Sequence, residues 1–401
     1  MKRLTGMIVA LAKLAPAILL SKVLQSCGRG KGIWLIAERP DEARDNGYHF
    51  FKYVRTHEPA ERAYYVILPN AADRARVASL GQVIDWGSFR HYLCWCMADC
   101  LISAHPGECA PEPNLSWRVK KAGLISHASV NLQHGVTAIN CADFWNKNQR
   151  YDLVATTAEP ERAYLQAIMQ QQVGVVQILG FCRYDALNVP MQTKRQVLLM
   201  PTWRRWFRGL VAKMGKTAAL AAFRESEYFQ AFNAILTSER LRSALKEMDY
   251  YLAFYPHYGI QELLDAFSRP HERVTIAARH QYDVQQLIKE SSILVTDFSS
   301  VSFDFAYLRK PVIYFLPDER RYFTEHFGRG YFDLDRDGFG PVTRDADATV
   351  AALEKMMRNQ DVDASVYKRR AERFFAFQDD RNCERTMAAI EEAMARRSRR
   401  A

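Results

Sequence analysis

Two histidines, a pair of arginines and a run of serines each sit just past a short apolar stretch, where phosphate-transfer chemistry could be assembled. Asn131-Leu132-Gln133-His134-Gly135-Val136-Thr137 sets an imidazole beyond an apolar run. Neutral imidazole can take a hydroxyl proton at neutral pH, and Gly135 lets a ligand or another backbone come close. A buried histidine satisfied in a turn fits the same residues. Met200-Pro201-Thr202-Trp203-Arg204-Arg205 offers Thr202 as a helix cap or phosphate ligand. Arg204 and Arg205 could grip phosphate bidentately; solvated arginines in a turn are the alternative. In Tyr255-Pro256-His257-Tyr258 the proline fixes a turn, and His257 could hydrogen-bond a diphosphate or simply complete that turn. The fourth stretch runs Thr296-Asp297-Phe298-Ser299-Ser300-Val301-Ser302-Phe303-Asp304. Ser299 or Ser300 as N-cap would leave backbone N–H groups and the positive end of a helix dipole facing an anion. A plain cap without ligand reads the same way.

Such residues act together only if the chain brings them to one sheet edge. Apolar runs suited to strands occur at 33–37, 64–68, 82–84, 100–103, 130–133, 153–156 and 175–179. A second series occupies 197–200, 251–255, 274–276, 293–296 and 312–315. Most are continuous rather than alternating, as expected of strands buried on both faces of a parallel sheet. Helical patterns lie between many of them, including 46–56, 159–170, 228–246 and 283–290, which implies βαβ units. The polar break near 188–196 separates the two series. The expected architecture is α/β, with two doubly wound Rossmann-like domains and a cleft between them. The domain plan is an N-terminal apolar helix at 1–28, one domain at 29–190, another at 191–375, and a C-terminal helix with a basic tail at 376–401. Arg204–Arg224 has no clear period and is expected to be a mobile loop over the cleft.

The 401 residues suffice for two ordinary domains. A net charge of +10 suits an anionic partner, but the basic residues form no concentrated stripe, which argues against nucleic acid. The eight cysteines include one cluster, Cys94, Cys96 and Cys100, with His91 and His105 nearby. Without paired ligand spacing they read as free thiols packed as small hydrophobes in a reducing compartment, rather than as a zinc site. Asp333-Leu334-Asp335 reads as a turn; the chemistry demands no metal or cofactor. Met7–Leu20 is apolar apart from Lys13, and its fourteen residues are too few to span a bilayer. A helix there, flanked by Lys2, Arg3 and Lys22, suits the headgroup region of anionic lipid. A signal peptide, or docking on the protein body, are the alternatives.

Val295-Thr296-Asp297-Phe298-Ser299-Ser300-Val301-Ser302-Phe303-Asp304-Phe305-Ala306, followed by Lys310-Pro311-Val312-Ile313, resembles the late core motif of the CDP-glycerol glycerophosphotransferases, the teichoic-acid polymerases and primases. Asp45-Asn46, His134-Gly135, Gly180-Phe181-Cys182-Arg183-Tyr184-Asp185, Pro201-Thr202-Trp203-Arg204 and Pro256-His257 resemble the family's other motifs in the same order. The resemblance spans about 33–316. One departure is Val136-Thr137-Ala138-Ile139-Asn140, where many members carry a lysine soon after His-Gly.

The resemblance implies a GT-B-like fold whose second domain holds the donor, and a peripheral protein at the cytoplasmic face of the membrane. It implies transfer of a polyol phosphate, glycerol phosphate first, from CDP-glycerol or a related CDP-polyol. The acceptor is a lipid-linked or polysaccharide hydroxyl, and CMP leaves. His134 would be the base; His257, Thr202, Arg204, Asp297, Ser299 and Ser300 would serve the donor. Asn46, Gly135, Arg183 and Asp185 would hold the acceptor side or the chain itself. A GT-B glycosyltransferase using a nucleotide sugar, and a non-catalytic membrane-bound binding protein, remain alternatives. Oligomeric state is not legible.

Overall fold

The computed structural model describes residues 2–58, 62–105, 107, 109–140, 150–267, 271–278, 281–359 and 364–399, with side chains from residue 6. Two compact units divide the chain. The first comprises Met1–His134, Trp145–Asn188 and Asp379–Ala401; the second comprises Gly135–Phe144 and Val189–Gln378.

The first unit holds a seven-stranded sheet of β1 (Ile33–Ala37), β2 (Arg62–Ile67), β3 (Val83–Asp85), β4 (Cys100–Ser103), β5 (Ala128–Asn131), β6 (Leu153–Thr156) and β7 (Val176–Ile178). Its order is β3-β2-β1-β4-β5-β6-β7, and every pairing is parallel. The β1 residues explain the continuous apolar run. Trp34 and Ile36 enter a core shared with the helix Asn46–His57, whereas Ile33, Leu35 and Ala37 enter one shared with the helix Phe89–Met97. Helices cover both faces, so neither set of alternate residues meets water.

The second unit holds β8 (Lys194–Leu199), β9 (Tyr251–Phe254), β10 (Val274–Ile276), β11 (Ser291–Thr296), β12 (Val312–Phe315) and β13 (Val342–Thr343). These six strands are ordered β10-β9-β8-β11-β12-β13, again all parallel. In each sheet the order reverses beside the first strand, at β1/β4 and β8/β11. Such switch points open a crevice at the strands' carboxyl ends.

Several expectations change. The two-residue β13 carries too little pattern to be seen in sequence. The helical pattern at 228–246 is two helices, Glu227–Leu236 and Glu239–Glu247, because the Ser238 hydroxyl accepts from Leu241 N and starts the second. Arg204–Arg224 is not a mobile loop but a 3₁₀ turn, Arg205–Phe207, and two helices, Leu210–Met214 and Lys216–Arg224. Phe207 and Phe223 are buried in the core of the second unit, and a buried Phe contributes about 1.5–3 kcal/mol.

The N-terminal helix is longer than its apolar core suggested, running from Lys2 to Ser26. By length and composition alone Gly6–Ser26 is long enough to cross a membrane. One face is docked, however. Ala10, Leu14 and Ala17, spaced by one and two turns, are buried against Tyr92 and Trp95, and Lys13 Nζ donates to Gly87 O at 2.6 Å. The opposite face leaves Ile8, Val9, Leu11, Leu19 and Val23 exposed.

The C-terminal helix Asn382–Ser398 belongs to the first unit rather than standing apart. Its basic end is anchored, since Arg397 pairs with Asp152 at 3.3 Å. Asp185 receives Asn382 N at 2.9 Å, Asn382 Nδ2 at 2.6 Å and Cys383 N at 2.8 Å. A Cβ at Gly180 would overlap the Asn382 side chain, so the turn before Asp185 admits only glycine beside this clamp. Asp185→Ala strands these donors and is expected to lower unfolding free energy by about 2–3 kcal/mol in chemical denaturation.

Candidate active site

In the first unit the site is built at the carboxyl ends of β1, β4 and β5. Gln133 adopts a left-handed backbone with φ of 55°, which turns the chain sharply after β5. Its side chain is buried and donates to Ala155 O at 2.6 Å and to Glu161 Oε1 at 3.2 Å. Asn46, fully buried, donates from Nδ2 to Gln133 O at 2.7 Å and to Leu132 O at 3.3 Å. Its Oδ1 accepts from Arg183 N at 3.0 Å. The Arg183 guanidinium then bonds His134 O at 3.2 Å and Asp45 Oδ1 at 3.0 Å. Three of the expected residues, Asn46, His134 and Arg183, thus meet, with Asn46 and Arg183 gripping main chain. Asp185 is not among them; it holds the C-terminal helix.

His134 itself is solvent-exposed. Surrounding protein still desolvates the ring, and the cations Arg39 and Arg183 repel a proton, so its pKa is lowered to about 4. The Ala104 main chain pulls weakly the other way. The ring is therefore neutral at neutral pH and able to accept a proton.

In the second unit Thr202 and Asp297 lie side by side past β8 and β11, with Thr202 N donating to Asp297 Oδ1 at 2.8 Å. His257 N bonds Pro201 O at 3.0 Å, which ties the turn after β9 to the turn after β8. His257 Nδ1 accepts from Gly259 N at 3.1 Å; the ring proton then sits on Nε2, making that atom a donor.

Arg204 is not available for phosphate, contrary to expectation. It is 0% exposed, bound to Asp318 through Nε at 2.6 Å and Nη2 at 2.7 Å, and to Asp297 Oδ2 at 2.9 Å. Burial alone would lower its pKa, but the two carboxylates more than reverse that. Burial raises Asp297 to about 6 despite Arg204. Asp297 is equally enclosed, so it serves the ion pair and the Thr202 main chain rather than a ligand directly.

Ser300 makes no cap bond, and the Ser299 hydroxyl accepts from Val301 N at 3.4 Å. Ser302 N and Phe303 N are used by the Ser299 and Ser300 carbonyls. The N–H groups without acceptors among the described residues are those of Ser299 and Ser300, one turn earlier than a simple cap implies. Gly135 packs directly on this point, since a Cβ there would overlap the Ser300 hydroxyl. The following segment continues alongside, with Asn140 N bonding Gly328 O at 3.0 Å and Gly328 N bonding Asn140 O at 3.2 Å. A cavity opens beside Ser299, bordered by Ala138, Ile139, Phe298, Phe323, Arg329 and Phe332.

Sequence reasoning missed Arg329 and Glu38. Glu38 follows an apolar strand, as the other candidates do. Its buried carboxylate accepts from Arg44 N, Asp45 N and Tyr48 N, and burial followed by Asp45 pushes its pKa up to about 8. Arg329 lies in a loop with no local pattern. No group of three or more metal-ligating side chains occurs among the described residues. Cys94 and Cys96 pack in an apolar core, and His91 Nε2 lies 3.1 Å from Cys109 O. Asp333 caps a short helix, and Asp335 pairs with Arg344.

Two parallel, doubly wound units of this kind define a GT-B-like α/β protein. The chain superposes on the wall teichoic acid polymerase TagF with a TM-score of 0.64 at 14% identity, covering 99% of this chain and 97% of that one. It also superposes on MnaA from S. aureus in a UDP co-structure, with a TM-score of 0.54 at 13% identity, covering 90% and 96%. Residues 20–392 match the family model described as CDP-Glycerol:Poly(glycerophosphate) glycerophosphotransferase. The chain belongs to that family. It is 33% identical over 366 residues to the minor teichoic acid biosynthesis protein GgaB of Bacillus subtilis (strain 168), covering 90% of this chain and 40% of that protein. It is 31% identical over 170 residues to the teichoic acid glycerol-phosphate transferase of Staphylococcus aureus (strain NCTC 8325 / PS 47), covering 42% and 38%. The chain therefore spans well under half the length of these relatives.

The enclosure of Arg204 makes a direct prediction. Arg204→Ala leaves two buried carboxylates unpaired and is expected to destabilise the second unit by about 3–5 kcal/mol in denaturant unfolding. A pure phosphate ligand would instead weaken donor binding at unchanged stability.

Proposed function

We propose that the chain transfers glycerol phosphate from CDP-glycerol to a hydroxyl of a lipid-linked or polysaccharide acceptor in teichoic-acid-type polymer synthesis. The acceptor oxygen attacks the β-phosphorus, the bond to the leaving phosphate breaks, and CMP departs. The attacking hydroxyl must lose its proton while approaching an anionic diphosphate. A neutral base answers the first need, typically worth about 10²–10⁴-fold; N–H donors and cations answer the second. His134 is the base. Ser299 and Ser300 N–H groups, the Thr202 hydroxyl and His257 Nε2 hold the diphosphate, with Arg329 beside them.

The observation that carries this reading is the neutral imidazole of His134, held by its own main chain through Asn46 and Arg183. Membership of the glycerophosphotransferase family supplies the donor class. Val136–Asn140 carries no charged side chain and borders the cavity through Ala138 and Ile139, so an acceptor entering there meets an uncharged segment.

The exposed face of the N-terminal helix supports a peripheral site on an anionic membrane surface. A helix docked on the protein by one face and apolar on the other lies in the headgroup plane, where an acceptor carried on lipid is within reach.

CMP release, measured with CDP-glycerol, CDP-ribitol and UDP-sugars, is expected with a CDP-polyol only; UDP release from a UDP-sugar alone would favour a glycosyltransferase. His134→Ala is expected to lower turnover by about 10²–10⁴-fold, and an unchanged rate removes it as the base. Ile8→Glu with Leu19→Glu is expected to weaken sedimentation with anionic vesicles roughly tenfold or more. Undiminished sedimentation would place the membrane contact elsewhere.

A further inference from the structure

β4 and β5 are neighbours, with Ser103 opposite Asn131 in the parallel register. Each strand continues past the sheet edge into a short segment that carries one histidine. His105 follows Ser103 by two positions, and His134 follows Asn131 by three. Their rings stack, with centroids 4.5 Å apart and planes 12° from parallel.

The His105 main chain is pinned by the end of β4. The Ser103 hydroxyl donates to His105 O at 2.6 Å and accepts from His105 N at 3.1 Å. Both ring nitrogens of His105 are buried, and neither has a hydrogen-bond partner among the described residues. Buried polar atoms ordinarily find partners. An imidazole with no hydrogen-bond partner among the described residues contributes through its face, and that face lies against His134.

We propose that His105 is a positioning residue for His134: its neutral ring is the π-surface on which the His134 imidazolium forms during proton abstraction. The inference rests on the reading of His134 as the base. Accepting the hydroxyl proton turns His134 into a cation. Two guanidiniums, Arg39 and Arg183, oppose that charge, although Arg183 shares its own with Asp45 at 3.0 Å. A cation over the face of a neutral aromatic ring is attracted to it, most strongly where water is displaced. The near-parallel stack also fixes the plane of the reacting ring, which sets the direction of its accepting nitrogen. Two positive charges at this separation repel, so the pair takes up one added proton, on His134. Burial and His134 itself hold His105 neutral, its pKa lying well below the ordinary histidine value.

The test compares His105→Leu, which keeps bulk but loses the ring, with His105→Phe, which keeps a ring face. Both are read beside His134→Ala in CMP release from CDP-glycerol across pH. His105→Leu is expected to lower kcat about tenfold, leave the donor KM within about twofold, and move the acid limb of the pH–rate profile to lower pH. His105→Phe is expected to stay within about threefold of wild type with the limb in place. An ¹⁵N NMR titration of the His134 ring in the Leu variant should show the same downward pKa shift without reliance on turnover. A Leu variant with wild-type kcat and an unmoved His134 titration overturns the proposal, as does a Phe variant that falls as far as Leu. If His134→Ala keeps its turnover, it is the base assignment that fails.

Discussion

A residue placed just beyond a parallel strand has lost the ladder that held it, and a base must nonetheless be held in one orientation. Asn46 resolves that conflict in the first unit. One buried amide satisfies the carbonyls of Leu132 and Gln133 and the amide of Arg183. Together with the Gln133 side-chain bonds to Ala155 and Glu161 and the bond from Gln133 N to Asn131 Oδ1, it holds a non-glycine residue in the left-handed region, a backbone disfavoured for any side chain. The helix start at Asp45-Asn46, the turn after β5 and the turn before the helix Cys182–Leu187 are therefore one construction. The three sequence motifs lie far apart in the chain and meet through bonds made by this amide and by the Arg183 guanidinium.

The second unit solves the same problem with charge. Arg204 between Asp297 and Asp318 joins the ends of β8, β11 and β12 through groups that water never reaches. A buried ion pair of this kind adds little net stability over apolar packing, but breaking it is severe. Its value is geometric: Asp297 is fixed, so Thr202 N is fixed, and with it the loop that Pro201 O ties to His257. An arginine at a strand end need not touch a ligand to fix the loops beside it.

Nearly all of the fold was legible because strands buried on both faces must be apolar throughout, and Ile33–Ala37 or Val312–Phe315 can be little else. The helices between them followed. What stayed hidden had no local period to show it. Residues 204–224 form two short helices stabilised by Phe207 and Phe223 entering a distant core. The C-terminal helix returns to the first unit through three bonds to Asp185, whose carboxylate gives no sign in sequence of its partners. At the candidate site, residue type and position past a strand did not reveal each side chain's partners. Arginine beside a strand end reads as a ligand for phosphate, and only the two carboxylates around Arg204 reveal it as a structural cation. His105, two residues past β4, stood in the sequence only as a neighbour of the cysteine cluster, and nothing local announces that its ring stacks on His134.

The low proton affinity of His134 looks at first ill-suited to a base, since general bases work best with a pKa near the working pH. Desolvation by the surrounding protein, and after it Arg39 and Arg183, hold that affinity down. An anion bound close to the ring would favour the protonated form and raise its pKa. Arg39 and Arg183, which repel a proton from the ring, would attract the same anion. If His134 is the proposed base, its proton affinity would rise only when an anion is bound near it.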